Sequence, residues 1–182
     1  MPLLLDTARS GAAEDLSGSD GLTLGLVNNM PDAACEATER QFFELIRSAT
    51  PDAVVRLRLF SIPKIPRAEP VHNAMAERYR DISELWDAPL DGLIVTGTEP
   101  RAVKLDDEPY WPALTKLIDW ARENTASTVW SCLAAHAAVL HADGIERRLL
   151  PDKLSGVFRL RDGDGACAHG RGDAAAHAAL AL

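Results

Sequence analysis

The chain has 182 residues, of which 47% are apolar and 25% are charged, and its formal net charge is -8. These values are typical of one soluble globular domain and exclude an intrinsically disordered chain, which combines low hydrophobicity with a large charge excess. The negative charge argues against a nucleic-acid partner, and no apolar run approaches the roughly 18 residues that cross a bilayer, so we expect a cytoplasmic protein without membrane contact.

The N-terminal half predicts a flexible leader followed by a strand, a helix and a second strand. Residues 1–20 are small and polar without periodicity, which is typical of a mobile leader. The apolar run at 22–27 predicts a buried strand, and an apolar stripe over 34–49 predicts a helix. Apolar and basic residues alternate over 54–60, which predicts a strand near a sheet edge.

The middle of the chain begins with a proline-rich segment over residues 63–70, which predicts a loop because proline interrupts both helices and sheet ladders. Residues 74–86 then favour a helix, and the apolar run at 91–97 predicts a strand that ends in a glycine turn. Apolar residues at helical spacing over 110–124 predict another helix.

A further strand and helix meet at Cys132. The run at 128–130 predicts a strand, and the alanine-rich run at 133–141 predicts a helix that Gly144 ends. Strands that alternate with helices of this length are typical of βαβ units. We therefore predict an α/β fold with a mainly parallel sheet and helices on both faces.

The last part of the chain has a different composition. Residues 159–182 are rich in alanine, glycine and histidine without periodicity, so we predict an irregular tail after an α/β domain over 21–158. A short exposed helix, disorder and a truncated or frame-altered terminus all agree with this composition, and the choice among them stays open.

The cysteines direct attention to the strand-to-helix junction. Cys35, Cys132 and Cys167 contain no CxxC pair, so we expect free thiols and no metal site. A turn between a strand and a helix exposes a nucleophile, and the helix start favours a thiolate. Backbone N–H groups there, beginning with that of Leu133, can stabilise an oxyanion. The glycine-flanked elbow of many hydrolases is absent, which leaves a buried, inert thiol as the alternative.

Six blocks of sequence carry a family resemblance. They are Asn29-Met-Pro31, Thr38-Glu-Arg-Gln-Phe42, Asp91-Gly-Leu-Ile-Val-Thr-Gly97, Tyr110-Trp-Pro112, Ser127-Thr-Val-Trp-Ser-Cys132 and Lys153-Leu-Ser-Gly-Val-Phe158. In their order and spacing over residues 21–158, these blocks resemble the homoserine O-succinyltransferase/O-acetyltransferase family.

The resemblance implies a flavodoxin-like fold similar to that of class I glutamine amidotransferases. It implies transfer of a succinyl or acetyl group from acyl-CoA to the hydroxyl of L-homoserine, in methionine biosynthesis. The expected partners are these small molecules, with succinyl-CoA or acetyl-CoA as co-substrate and no bound cofactor. A homodimer is left open.

The resemblance also assigns site residues. Cys132 matches the family cysteine that forms the acyl-thioester, and Lys153 matches a lysine that binds substrate. Arg101, counted back from Cys132, falls where the family selects its acyl donor. A guanidinium there can pair with a succinyl carboxylate through two parallel hydrogen bonds, so we predict Arg101 as a second substrate-binding residue. The family carries other residues at this position, so the donor stays open.

The family pattern continues beyond these blocks with a Pro-His-Ser-Arg stretch and a His-Pro-Glu segment whose histidine is the base. Neither occurs in the 182 residues, so we expect a C-terminally truncated chain that acylates Cys132 but turns over little homoserine. His136 shares a helix face with Cys132, and we interpret it as a buried histidine with satisfied hydrogen bonds rather than a substitute base.

Two alternatives to the acyltransferase follow from the same residues. A glutamine amidotransferase-like hydrolase would use Cys132 on a γ-glutamyl amide, although its glycine-flanked elbow is missing. A non-catalytic binding or interaction domain would remain if the C-terminal half had been lost. Acylation of Cys132 by an acyl-CoA separates these alternatives from the leading hypothesis.

Overall fold

A computed structural model describes residues 3–7, 21–148 and 176–180 of the chain. Within these residues the strands are β1 (Leu3–Asp6), β2 (Leu22–Val27), β3 (Val55–Phe60), β4 (Gly92–Thr96), β5 (Ser127–Ser131) and β6 (Ala176–Leu180). The helices are α1 (Asp32–Ala49), α2 (Glu69–Arg78), α3 (Trp111–Asn124) and α4 (Leu133–Asp143). Two short 3₁₀ turns span Ile82–Leu85 and Leu105–Asp107.

The strands form one parallel sheet with the order β1-β3-β2-β4-β5-β6. When β2 is counted as the first strand and β1 is left aside, this order reads 2-1-3-4-5, which is the flavodoxin-like arrangement. The predicted α/β class with its mainly parallel sheet is confirmed. In such sheets ligands bind where the strand order reverses, which here is between the carboxyl ends of β2 and β4.

Helices pack on both faces of the sheet, as predicted. Leu26 and Val27 are neighbours in β2 but belong to different apolar clusters, because successive side chains of a strand point to opposite faces. The first cluster packs α3 and α4 against β4 and β5, with Trp130 at its centre. The second packs α1 and α2 against β3. No helix in the described ranges has the length and apolar character of a membrane span.

Most predicted elements are confirmed with small changes in their ends. The strands predicted at 22–27, 91–97 and 128–130 correspond to β2, β4 and β5. The helices predicted at 34–49 and 110–124 correspond to α1 and α3. Gly144 ends α4 in the left-handed conformation, with φ 68°, as expected for a residue without a Cβ.

The helix predicted at 74–86 is wrong in its position. The observed α2 begins at Glu69, inside the predicted loop, because Pro70 occupies the first turn, where the missing N–H of proline costs little. The helix ends at Arg78, since Tyr79 is extended with ψ 138°. Residues 82–85 form a separate turn that Asp81 caps.

β3 lies near the sheet edge, as predicted, but it is not the edge strand, because a strand from the predicted leader pairs with it. Leu3–Asp6 forms β1, which runs parallel to β3 at the sheet edge. The Asp6 side chain is 7% exposed and accepts hydrogen bonds from Arg58 of β3, at 3.0 Å, and from Arg80. Arg58, one of the basic residues that alternate along β3, therefore pairs with the edge strand β1. Residues 8–20 of the predicted leader lie outside the described residues.

The structure also differs from the predicted irregular tail at residues 176–180. This segment forms β6, in parallel register with β5 from Ser127 opposite Ala176 to Ser131 opposite Leu180. The pairing uses backbone hydrogen bonds, which any residue pattern without proline can supply. Lys153 and Cys167, on which two predictions depend, lie outside the described residues.

Candidate active site

The carboxyl ends of β2, β4 and β5 surround a cleft of about 400 Å³. This is the edge where the predicted glycine turn after β4 meets the predicted turn at Cys132. The cleft is lined by Met30, Pro31, Thr98, Glu99, Pro100, Cys132, Leu133, His136, Arg147 and Arg148.

Cys132 occupies the predicted turn between β5 and α4. Its backbone has φ 58° and ψ -131°, a conformation that residues with a Cβ rarely adopt. Such backbone outliers persist where the surrounding structure enforces them, and they concentrate at functional sites. The same strand, sharp turn and helix expose the nucleophile in enzymes with a nucleophile elbow. The thiol of Cys132 is partly exposed at the cleft.

The turn at Cys132 packs directly against the loop that follows β4. A Cβ on Gly97 would lie 2.6 Å from both the Cβ and the backbone N of Leu133, and 2.8 Å from the backbone N of Ala134. The Gly97 N–H donates to the Ser131 carbonyl at 3.0 Å. The first N–H groups of a helix have no acceptor within that helix. Those of Leu133 and Ala134 are therefore available to a developing oxyanion.

Asn29, the second residue after β2, connects three strand ends. Its side chain is 2% exposed, and its amide donates to the Thr96 carbonyl at 3.0 Å. Its carbonyl oxygen accepts from the Ile62 N–H at 3.1 Å, and its own backbone N–H donates to the Thr96 hydroxyl at 2.8 Å. In the sequence, this asparagine was noted only as part of the block Asn29-Met-Pro31. An amide at the end of a buried strand was the signal available.

Arg67 holds the loop that forms the opposite wall of the cleft. Its side chain is 5% exposed and donates to the Met30 carbonyl at 2.9 Å and to the Asn28 carbonyl at 3.1 Å. It also pairs with Asp32 at 3.3 Å, and the Asp32 carboxylate accepts from the Ala68 N–H at 2.7 Å. This residue was missed because it lies in the proline-rich segment, far from the loop in sequence.

Arg101 does not line the cleft. Its side chain is exposed, and its backbone N–H donates to the carboxylate of Glu108, which is 3% exposed and also accepts from the Ala102 N–H at 2.7 Å. Burial and the neighbouring Glu108 charge raise the pKa of Tyr110 to about 12. The substrate-binding role of Arg101 stays a prediction.

His136 is exposed and lines the cleft together with Cys132, so its interpretation as a buried histidine is wrong. It lies one turn into α4, where alanines fill the sheet-facing positions and leave the imidazole on the cleft side. His141, further along α4, instead bonds Asp119 at 2.8 Å. Among the described residues, His136 is the histidine that lines the same cleft as the Cys132 thiol.

Comparison with known proteins identifies the family. A family model for homoserine O-succinyltransferase matches residues 9–174. The homoserine O-succinyltransferase of Rhodopseudomonas palustris is 55% identical over 137 residues, which cover 75% of this chain and 41% of the relative. That of Bradyrhizobium japonicum is 55% identical over 145 residues, which cover 78% and 45%. The chain thus spans less than half the length of these curated relatives, and it belongs to the homoserine O-succinyltransferase family.

Proposed function

We propose that Cys132 accepts the acyl group of an acyl-CoA, as the first half of O-succinyl transfer to L-homoserine in methionine biosynthesis. The observation that carries this proposal is the backbone of Cys132, at φ 58° and ψ -131°, which presents a thiol at an open cleft. The relatives are named for the complete transfer. Succinyl-CoA is therefore the first donor to test.

The acyl step exchanges one thioester for another. The Cys132 thiolate attacks the carbonyl carbon of the donor, and a new C–S bond forms as the carbonyl oxygen becomes an oxyanion. The N–H groups of Leu133 and Ala134 are positioned to stabilise that charge. When the oxyanion collapses, the C–S bond to CoA breaks, and the CoA thiolate takes up the proton that Cys132 gave up.

The second half needs a base to remove the proton of the homoserine hydroxyl. In its neutral form, His136 can accept this proton within the cleft. No carboxylate contact of His136 appears among the described residues, so none of these residues acts as the orienting partner of a triad. We therefore propose that acylation proceeds and that transfer to homoserine is slow. Lys153 and Arg101 remain the predicted carboxylate-binding residues.

Intact-protein mass spectrometry tests the acyl step. After incubation with succinyl-CoA, the chain is expected to gain the mass of one succinyl group. Cys132→Ala should abolish the adduct, whereas Cys35→Ala should keep it, because Cys35 lies on the buried face of α1. An unmodified wild-type chain with both succinyl-CoA and acetyl-CoA would contradict the proposal and favour a non-catalytic domain. Loss of the adduct on addition of L-homoserine then measures the second half.

A further inference from the structure

Two arginines line the cleft beside the candidate nucleophile. Arg147 and Arg148 follow the end of α4 and share the cleft with Cys132 and His136. Glu99 is the carboxylate in this lining, so the formal charge of the lining is positive. The whole chain carries -8. The cleft therefore concentrates positive charge on an acidic protein.

These arginines differ from those that stabilise the fold. Arg58, Arg67 and Arg80 each form a salt bridge with a buried or partly buried carboxylate. Within the described ranges, Arg147 makes a single 3.4 Å hydrogen bond, to the Val103 carbonyl, and Arg148 makes none. A guanidinium has five N–H donors, so most of the donors of this pair have no partner among the described residues and can bind a ligand.

We propose that Arg147 and Arg148 bind an anionic group of the acyl donor while its thioester lies at Cys132. The group is a carboxylate at the end of the acyl chain or a phosphate of CoA, since a guanidinium pairs with either through parallel hydrogen bonds. An acidic chain repels a polyanionic donor over most of its surface, and a local cationic wall offsets that repulsion. The inference rests on the proposed function, because it assigns the donor of that reaction.

The first experiment measures the rate of Cys132 acylation by succinyl-CoA, using mass spectrometry. The double variant Arg147→Gln/Arg148→Gln should react at least about tenfold more slowly, because a hydrogen bond to a charged group contributes about 1.5 kcal/mol or more. The matched control is Arg122→Gln, an exposed arginine of α3 outside the cleft, which should react at the wild-type rate. Added salt should slow the wild-type chain more than the double variant.

Four donors identify the anion: succinyl-CoA, acetyl-CoA and the N-acetylcysteamine thioesters of succinate and acetate. A defect confined to both succinyl donors assigns the carboxylate. A defect confined to both CoA donors assigns the phosphates. Either result supports the inference, and a double variant that matches the wild type with all four donors overturns it.

A binding measurement separates this inference from the acyl-transfer proposal. Cys132→Ala cannot be acylated, so titration calorimetry with succinyl-CoA reports binding alone. The double substitution in this background should weaken binding about tenfold. Equal affinity, or no binding by Cys132→Ala itself, overturns the inference whether or not the wild-type chain is acylated. Unchanged thermal unfolding of the double variant confirms that the fold is intact.

Discussion

The two halves of the carboxyl edge of the sheet are stabilised in different ways. On the side of β1, β3 and β2, buried polar groups such as Asp6, Asn29 and Arg67 connect strand ends and loops through specific hydrogen bonds. On the side of β4 and β5, the backbones of Gly97 and the first turn of α4 touch, and Cys132 takes a rare backbone conformation. The first half depends on hydrogen bonds between buried polar groups, and the second depends on a glycine that has no Cβ. Different substitutions should therefore destabilise the two halves.

The largest effect is expected from added volume on the β4 and β5 side. Gly97→Ala would place a Cβ 2.6 Å from the backbone N of Leu133, which a side-chain rotation cannot relieve. We expect a loss of about 3 kcal/mol in the free energy of unfolding, measured with urea. Gly144→Ala is the control, because its φ of 68° is unfavourable but the space around it is open. It should lose about 1 kcal/mol, and an equal loss at both glycines would refute the crowding argument.

On the side of β1, β3 and β2, which we call the polar side, the largest loss of stability should follow from substitution of Arg67. Arg67→Ala leaves the carbonyls of Asn28 and Met30 without their donors, and we expect a loss of about 2 kcal/mol in urea unfolding. Arg67→Lys should recover only part of this loss, because an ammonium lacks the planar fork that reaches several acceptors. The control is Arg40→Ala, at an exposed position of α1. An Arg67→Ala chain as stable as the wild type would show that the loop keeps its position without the hydrogen bonds of Arg67.

The ion pairs of Asp6 should make stability on the polar side depend on pH. Burial alone would raise the pKa of Asp6, but hydrogen bonds from Arg80 and Arg58 outweigh it and leave this pKa below its usual value. The ionised carboxylate therefore stabilises the fold above about pH 4, and this contribution is lost as the pH falls through the lowered pKa. Asp6→Asn should lower the free energy of unfolding by about 1.5 kcal/mol at neutral pH.

The Asp6→Asn comparison is made by urea unfolding at pH 7 and again near pH 3, where the difference from the wild type should shrink. Asp106→Asn is the control, since Asp106 is exposed in a surface turn and should leave stability unchanged at both pH values. A difference that stays constant across this range would contradict the assigned role of the carboxylate.

The smallest effect on stability is expected at Cys132, where glycine should be more favourable than alanine. Glycine adopts a positive φ more readily than any residue with a Cβ, so Cys132→Gly should be about 1 kcal/mol more stable than Cys132→Ala. At the exposed position Ala142, in the last turn of α4, the substitution to glycine should instead lower stability, by up to about 1 kcal/mol. Thermal unfolding of the three variants tests the prediction. A less stable Cys132→Gly would show that the turn is not strained.

Composition predicted the elements around Cys132, because a short strand-forming run is followed by an alanine-rich run that Gly144 ends. It placed the thiol at a strand-to-helix turn, as observed. It failed for His136, because α4 is apolar almost all round and its sequence does not reveal which face meets the sheet. Four residues of β1 are too few to show a pattern.

Contacts between residues that are distant in the chain could not be predicted from the sequence. Arg67 reaches a loop that lies 35 or more residues earlier in the chain, and Arg80 reaches Asp6 across 74 residues. Nothing in the local composition separates these buried arginines from exposed ones. The same holds for Arg147 and Arg148, which share a cleft with Cys132 only because α4 leads the chain away from the turn and the segment after it returns.

The position of β1 has a consequence for how the protein folds during synthesis. This strand precedes the other described strands in the chain, yet its partner in the sheet is β3, which ends at Phe60. β1 therefore has no ladder to join until that residue has emerged, and until it docks β3 is the edge of a sheet that has already begun to form. Because a very short edge strand is a poorer template for aggregation than a longer one, the four-residue β1 then shields the six-residue β3 from pairing with neighbouring chains.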